Sequence, residues 1–190
     1  QENELHGTVP PSLCSASTSI RELDLGFNSF TGNTNSVLCP QAEVTSVPFN
    51  QLQGGLDLLP SRPSLRWVNL SGNNVTGTIP TNISEMTNLY ALFLSGGTLT
   101  GSIPTELTEN TQLRYVALNQ NELTGTIPEN IGNLEELWYL YLSENHLSGT
   151  LPASLTNIRS LKRLVFYQNA LVGSLPPDLG SLPQLTTLDG

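Results

Sequence analysis

The frame L-x-x-L-x-L-x-x-N-x-L-x-G-x-I/L-P begins at Leu113, restarts 24 residues later at Leu137 and again 24 residues later at Leu161. A frame recurring at so short and regular a step constrains the fold more than any local propensity. Each unit is one turn of a coil, too small to bury its own apolar side, so it must stack on copies of itself. Anchored on the ninth position, the series is Asn3, Asn28, Asn50, Asn73, Gly97, Asn121, Asn145 and Asn169, with steps of 25, 22, 23, 24, 24, 24 and 24. Four residues after each stands a glycine, from Gly7 to Gly173 without exception, and two residues after each an apolar side chain.

Each repeated residue type has its own task. Leu137, Leu140 and Leu142 have the spacing of a short strand with one buried face, so Tyr139, Tyr141 and Ser143 point the other way. Asn145 follows at a turn, where an amide with donor and acceptor capacity can satisfy backbone groups that bend inward. Gly149 allows a conformation or close approach that a Cβ would obstruct, and Pro152 fixes φ as the chain leaves for its return segment. Leu155 and Ile158 bring that segment back over the core.

This frame resembles the plant-type leucine-rich repeat, and the resemblance covers essentially the whole chain. It implies an α/β repeat solenoid: a right-handed horseshoe with a concave parallel β-sheet, short second strands around L-x-G-x-I, and 3₁₀ turns or short helices on the convex side. Residues 1–190 read as a single array of about seven to eight turns of ~24 residues, cut in mid-repeat at both ends. Residues 20–64 depart from the frame: Asn35 and Asp57 stand at the proline position, Ala42 and Thr45 at strand leucines, and an irregular convex side is expected there. Gly97 cannot make the turn amide's bonds, which fall to water or to Asn73 and Asn121.

A net charge of -9, from 7 basic and 16 acidic residues, argues against nucleic acid, whose phosphates call for a basic surface. No run approaches the ~18 apolar residues of a membrane span, so any membrane attachment lies outside this chain. No signal peptide opens it, as for a mature form or a piece of something longer. Metal-ligand spacings and phosphate loops are absent, and nothing places His6 or His146 beside a nucleophile with an orienting acid. The reading is therefore a protein that is not an enzyme and uses neither metal nor cofactor.

Cys14 and Cys39 each lie eleven positions after a turn asparagine, so stacking puts them in adjacent rungs within reach of a disulfide; two buried thiols are the other reading. Three glycosylation sequons begin at Asn69, Asn74 and Asn82, weak singly. With a possible disulfide and a largely extracellular family, they favour a secreted or cell-surface location. A glycan on Asn69 would cover part of the concave face.

Of 12 aromatic residues, ten fall in strand positions the framework leaves free, and only Phe30 and Phe166 belong to the framework. Trp67, Phe93, Tyr115, Tyr139, Tyr141 and Tyr167 are expected directly off the concave sheet, while Tyr90 and Trp138 read as strand-edge residues and Phe27 and Phe49 as ordinary free strand positions. Charges in the free positions cancel, which leaves the whole -9 to the remaining surface. Rigid amphipathic rings with occasional arginine suit recognition. The candidate ligand-binding set is those six rings with Arg114, Asn119 and Arg163, the arginines facing a carboxylate or other anion.

The resemblance points to an extracellular module that binds a peptide, glycan or protein, like the ectodomains of receptor kinases and receptor-like proteins. The alternatives are a secreted hydrolase inhibitor of the polygalacturonase-inhibitor type and a scaffold segment of a wall, matrix or larger assembly. The regular Thr and Ser files beside the glycines, from Thr76 to Thr150, add ice binding as a minor one.

Overall fold

The computed structural model describes residues 3–15 and 19–190. Its main sheet has eight parallel strands, one per rung in chain order: Glu22–Asp24, Val44–Ser46, Trp67–Asn69, Ala91–Phe93, Tyr115–Ala117, Tyr139–Tyr141, Arg163–Val165 and Thr187–Asp189. Each three-residue strand pairs with its neighbour without slippage, as in Tyr115 to Tyr139 and Val116 to Leu140. Parallel strands so joined require a crossover, which the rest of each repeat supplies.

Alternation decides the faces. Leu23, Thr45, Val68, Leu92, Val116, Leu140 and Leu164, the middle residues of seven strands, are buried in one continuous file. Thr45 and Ala42, replacements for strand leucines, are buried as completely as the leucines around them, because register rather than residue type places them. Removing a leucine such as Leu140 would leave a cavity costing about 2–5 kcal/mol.

A second, five-stranded parallel sheet flanks the coil, formed by His6–Thr8, Ser29–Asn33, Gln51–Gly54, Asn74–Thr78 and Thr98–Thr100. It ends at Thr98–Thr100, and a separate pair, Ser148–Gly149 with Ala170–Leu171, continues on the same flank, with the bridge Thr126 to Ser148 before it. Within this band Gly149 has φ 77°, and a Cβ on it would stand 2.9 Å from the Thr126 methyl.

The return side is built from 3₁₀ turns. Those at Thr81–Glu85, Thr105–Glu109, Glu129–Asn133 and Ala153–Asn157 each follow a proline with φ between -57 and -70°. The proline carbonyl accepts the first turn bond, as from Ile131 N–H to Pro128 at 3.0 Å. In the departing region Asn33 takes over this start, its Oδ1 accepting the Asn35 N–H at 2.8 Å, and Thr34–Val37 follows. Cys14 and Cys39 form a disulfide between the first two return segments, with Cα atoms 4.2 Å apart.

The turn asparagines form a buried ladder. Asn145 Oδ1 accepts the Leu123 N–H at 3.0 Å, and its Nδ2 donates to the carbonyls of Leu118, Leu142 and Ser143 at 3.0, 3.1 and 3.2 Å. The arrangement recurs at Asn73, Asn121 and Asn169. Sixth-position carbonyls such as Leu118 and Leu142 accept amides from two rungs, so the missing amide at Gly97 leaves its two carbonyls with one each: Leu70 keeps Asn73, and Leu94 keeps Asn121.

The residue before each turn position is left-handed in all seven rungs from Phe27 to Gln168, two of them filled by Gly72 and Gly96. Phe27 and Phe49 are therefore not ordinary strand residues, as the sequence suggested. Their φ values are 55 and 53°, a conformation costly for a bulky side chain, and their exposed rings stack with centroids 4.8 Å apart.

Candidate functional site

In-register stacking turns each free strand position into a column running across the sheet. The third-position column is Trp67, Ala91, Tyr115, Tyr139 and Arg163, and the fifth is Asn69, Phe93, Ala117, Tyr141 and Val165. Ala91 and Ala117 are the small members of these columns, buried at 0 and 6% exposure. Their size lets rings from neighbouring rungs close over them. Trp67 thus reaches Tyr115 across two rungs, with centroids 6.0 Å apart, and also meets Phe93 at 5.0 Å.

Tyr115 is the hub. Its ring lies 5.3 to 6.4 Å from those of Trp67, Tyr90, Phe93, Trp138 and Tyr139, mostly tilted or edge-to-face, and Tyr139 carries the cluster on to Tyr141 at 6.1 Å. Such pairs contribute about 0.5–1.5 kcal/mol each beyond area burial. Desolvation, followed by the neighbouring Tyr139 and Tyr90 hydroxyls, raises the Tyr115 pKa above its ordinary 10.0, against the lowering pull of Arg114.

Five of the six rings expected on this face, Trp67, Phe93, Tyr115, Tyr139 and Tyr141, form one connected cluster. Tyr167 is held differently: its hydroxyl donates to Glu144 Oε1 at 3.2 Å, and the same carboxylate accepts from Gln120 Nε2 at 3.1 Å. Asn119 belongs to a polar file beyond the rings, its Oδ1 accepting from the Ser95 hydroxyl at 2.7 Å. Arg163 lies over the Tyr139 ring at 5.9 Å. Arg114 lies over Trp138 at 5.0 Å and meets Glu136 at 3.5 Å, an exposed pair that contributes little.

Tyr90 and Trp138, read from the sequence as strand-edge residues, join the cluster. They belong to the second-position column, and their rings lean 5.6 Å from Trp67 and Tyr115 respectively. Alternation assigns a residue to a face but says nothing of how far a ring reaches sideways; the aromatic recurrence in that column was the available signal. Lys162 also escaped notice, with Nζ 4.0 Å from the Trp138 ring centre.

Of the sequon residues, Asn74 and Asn82 are exposed on the flanking strand and the return turn. Asn69 is half-buried beside Phe93 in the pairing register, and its Oδ1 accepts the Ser71 N–H at 3.1 Å. Among the described residues, no helix is long and apolar enough to cross a membrane.

Single-turn rungs stacked into one parallel sheet, with a ring-covered face of residues the framework does not use, define a leucine-rich-repeat solenoid. The family model described as Leucine Rich Repeat matches residues 64–86, 112–134 and 136–158. Receptor-like protein 7 of Arabidopsis thaliana is 40% identical over 93 residues, covering 47% of this chain and 9% of its own length. The structure of the plant peptide hormone receptor RGFR1 in complex with RGF2 superposes with a TM-score of 0.92 at 32% identity, over 98% of this chain and 30% of that one. A chain of the BIR3–SERK2 complex from Arabidopsis thaliana is 36% identical with a TM-score of 0.59, over 68% of this chain and 69% of its own. The chain belongs to the plant-type leucine-rich-repeat proteins, a family that includes receptor-like proteins and receptor-kinase ectodomains. It spans 8 to 11% of the length of the curated relatives it matches.

Proposed function

We propose that this chain is an extracellular, non-enzymatic recognition module that holds a peptide or a segment of a protein against its concave face. The observation that carries the reading is the connected ring cluster around Tyr115, built wholly from positions the repeat framework leaves free. Rings packed against one another are already ordered, so a ligand gains their contact area at little further entropy cost. RGFR1, similar over nearly the whole of this chain, is a peptide hormone receptor solved with RGF2, which supports a peptide in preference to a glycan. In this reading residues 1–190 act as one array. Trp67, Phe93, Tyr115, Tyr139 and Tyr141 supply apolar contact, Arg114 and Arg163 face anionic groups, Asn119 and Tyr167 supply polar contacts at the far edge, and glycans on Asn74 and Asn82 stand clear of the face.

The test is selection of a random peptide display library on the 190-residue chain. Enriched peptides should bind at least roughly tenfold more weakly to Phe93→Ala and Tyr141→Ala, measured well below the melting temperature of each variant, since Phe93 packs on two rings and its loss lowers stability more than that of Tyr141, which packs on one. Enrichment indifferent to both substitutions would place recognition elsewhere and overturn the proposal.

A further inference from the structure

The second-position column has a pattern the rest of the surface lacks. Over five successive rungs it reads Arg66, Tyr90, Arg114, Trp138, Lys162, cation and ring in alternation, continued by Glu43 and Arg21 on one side and by Thr186 on the other. The members are locked in step, because each main-chain N–H donates to the carbonyl of the member before it, at 2.9, 2.8, 2.9 and 2.8 Å in order. Arg66 lies over Tyr90 at 5.9 Å, and Trp138 is met by Arg114 at 5.0 Å and by Lys162 at 4.0 Å. The rings thus hold the long cationic side chains in place, which lowers the entropy lost when a ligand pairs with them. Arg66, Tyr90 and Arg114 also line an open groove of about 790 Å³. The groove is also lined by Arg21, Glu22 and Glu43, so the run of cations free of acidic members of the column is the stretch from Arg66 to Lys162.

We infer that this column is a cradle for an acidic peptide in the polyproline-II conformation, carrying a carboxylate at every third residue. The inference rests on the concave-face reading above and specifies the ligand class for one edge of it. Its basis is pitch. Parallel strands stand ~4.8 Å apart, so like members of the column recur every two rungs, at about 9.6 Å. A polyproline-II helix rises ~3.1 Å per residue with three residues per turn, so one of its edges repeats every ~9.3 Å. Three carboxylates at i, i+3 and i+6 therefore meet Arg66, Arg114 and Lys162 in register, while the residues between them project away from that edge. A β-strand ligand fails this match, because its side chains return to one face every ~6.7 Å and residues three apart point in opposite directions. Glu136 occupies Arg114 only through an exposed 3.5 Å pair that an incoming carboxylate readily displaces.

The experiment is fluorescence anisotropy with labelled (Glu-Pro-Pro)3, titrated with the 190-residue chain at physiological salt. Two controls carry the same three charges: (Glu-Pro-Pro-Pro)3, which changes the pitch, and (Glu-Gly-Gly)3, which keeps the spacing but loses the preformed helix. The matched peptide should bind at least roughly tenfold more tightly than either control. Arg66→Gln and Lys162→Gln should each weaken it several-fold without moving the melting temperature, while Arg66→Lys retains binding. Equal affinity for all three peptides would reduce the column to undirected charge attraction and overturn the inference, as would no binding of the matched peptide. Display-selected peptides that depend on Phe93 and Tyr141 but ignore Arg66→Gln and Lys162→Gln would sink this inference and leave the concave-face reading standing.

Discussion

Asn145 joins two rungs through Leu118: its Nδ2 donates to the Leu118 carbonyl at 3.0 Å, and Asn121 Nδ2 offers the same oxygen a second bond at 3.1 Å. That redundancy sets the cost of losing a turn amide. In Asn145→Ala, Leu118 keeps Asn121 and Leu142 keeps Asn169, so the group left unpaired is the buried Leu123 N–H. The expected loss is about 2 kcal/mol in urea unfolding, the cost of one orphaned donor. A loss above about 5 kcal/mol would show that the ladder is not redundant.

Gly132 sits in the return turn Glu129–Asn133, where a Cβ would overlap the Ser154 carbonyl oxygen of the next turn. A clash against backbone cannot be relieved by a rotamer change. Gly132→Ala should destabilise by about 1–3 kcal/mol, as overpacking does, whereas Gly180→Ala, with open space around it, should cost much less. Thermal melts of the two variants decide the matter.

The raised pKa of Tyr115 has a definite sign in stability. The folded state holds this proton more tightly than the unfolded chain, so the contribution is intact below pH 10.0, the ordinary tyrosine value, and is lost as pH rises through the higher folded value. Tyr115→Phe should flatten the fall in stability above that pH and remove a component ionising above the ordinary tyrosine value from an absorbance titration at alkaline pH. An unchanged titration would contradict the desolvated placement of the hydroxyl.

Cys14 and Cys39 close a loop with a sequence separation of 25. For a loop of that length the chain-entropy argument gives about 3.5 kcal/mol. Cys14→Ser/Cys39→Ser should lose that amount, with faster hydrogen exchange confined to the first two rungs, since each rung touches only its neighbours. Uniformly faster exchange along the coil would instead indicate one cooperative unit.

The coil was legible because its demands are made of the backbone and repeat. A buried turn amide, a left-handed glycine and an alternating leucine pattern are needed in every rung, so Asn121 and Gly125 announce themselves by position, and even Thr45 could be placed in the core by counting. The candidate face was legible as far as parity goes, which is why Tyr115 and Tyr139 could be assigned to one side. Lateral reach was not legible. Tyr90 and Trp138 enter the cluster because their rings lean sideways onto Trp67 and Tyr115 of the neighbouring rungs, a relation between columns that no single rung displays. Phe27 and Phe49 escaped for another reason: phenylalanine seldom adopts positive φ, so nothing in their identity signals the left-handed position that the repeat imposes. Gly132 lies outside the repeated glycine column, and only the stacked return turns reveal why a larger residue would not fit.

Because the members of the cation and ring column are fastened one to the next by their own main chains, the specificity of this edge is a matter of counting. Excising the 24-residue unit that runs from Leu113 to Glu136 would join the flanking rungs in the same frame and bring Tyr90 beside Trp138. Ring would then follow ring, and the interval between Arg66 and Lys162 would shrink by one step. A lineage can thus retune such a surface by gaining or losing whole turns, with no change to any residue that remains.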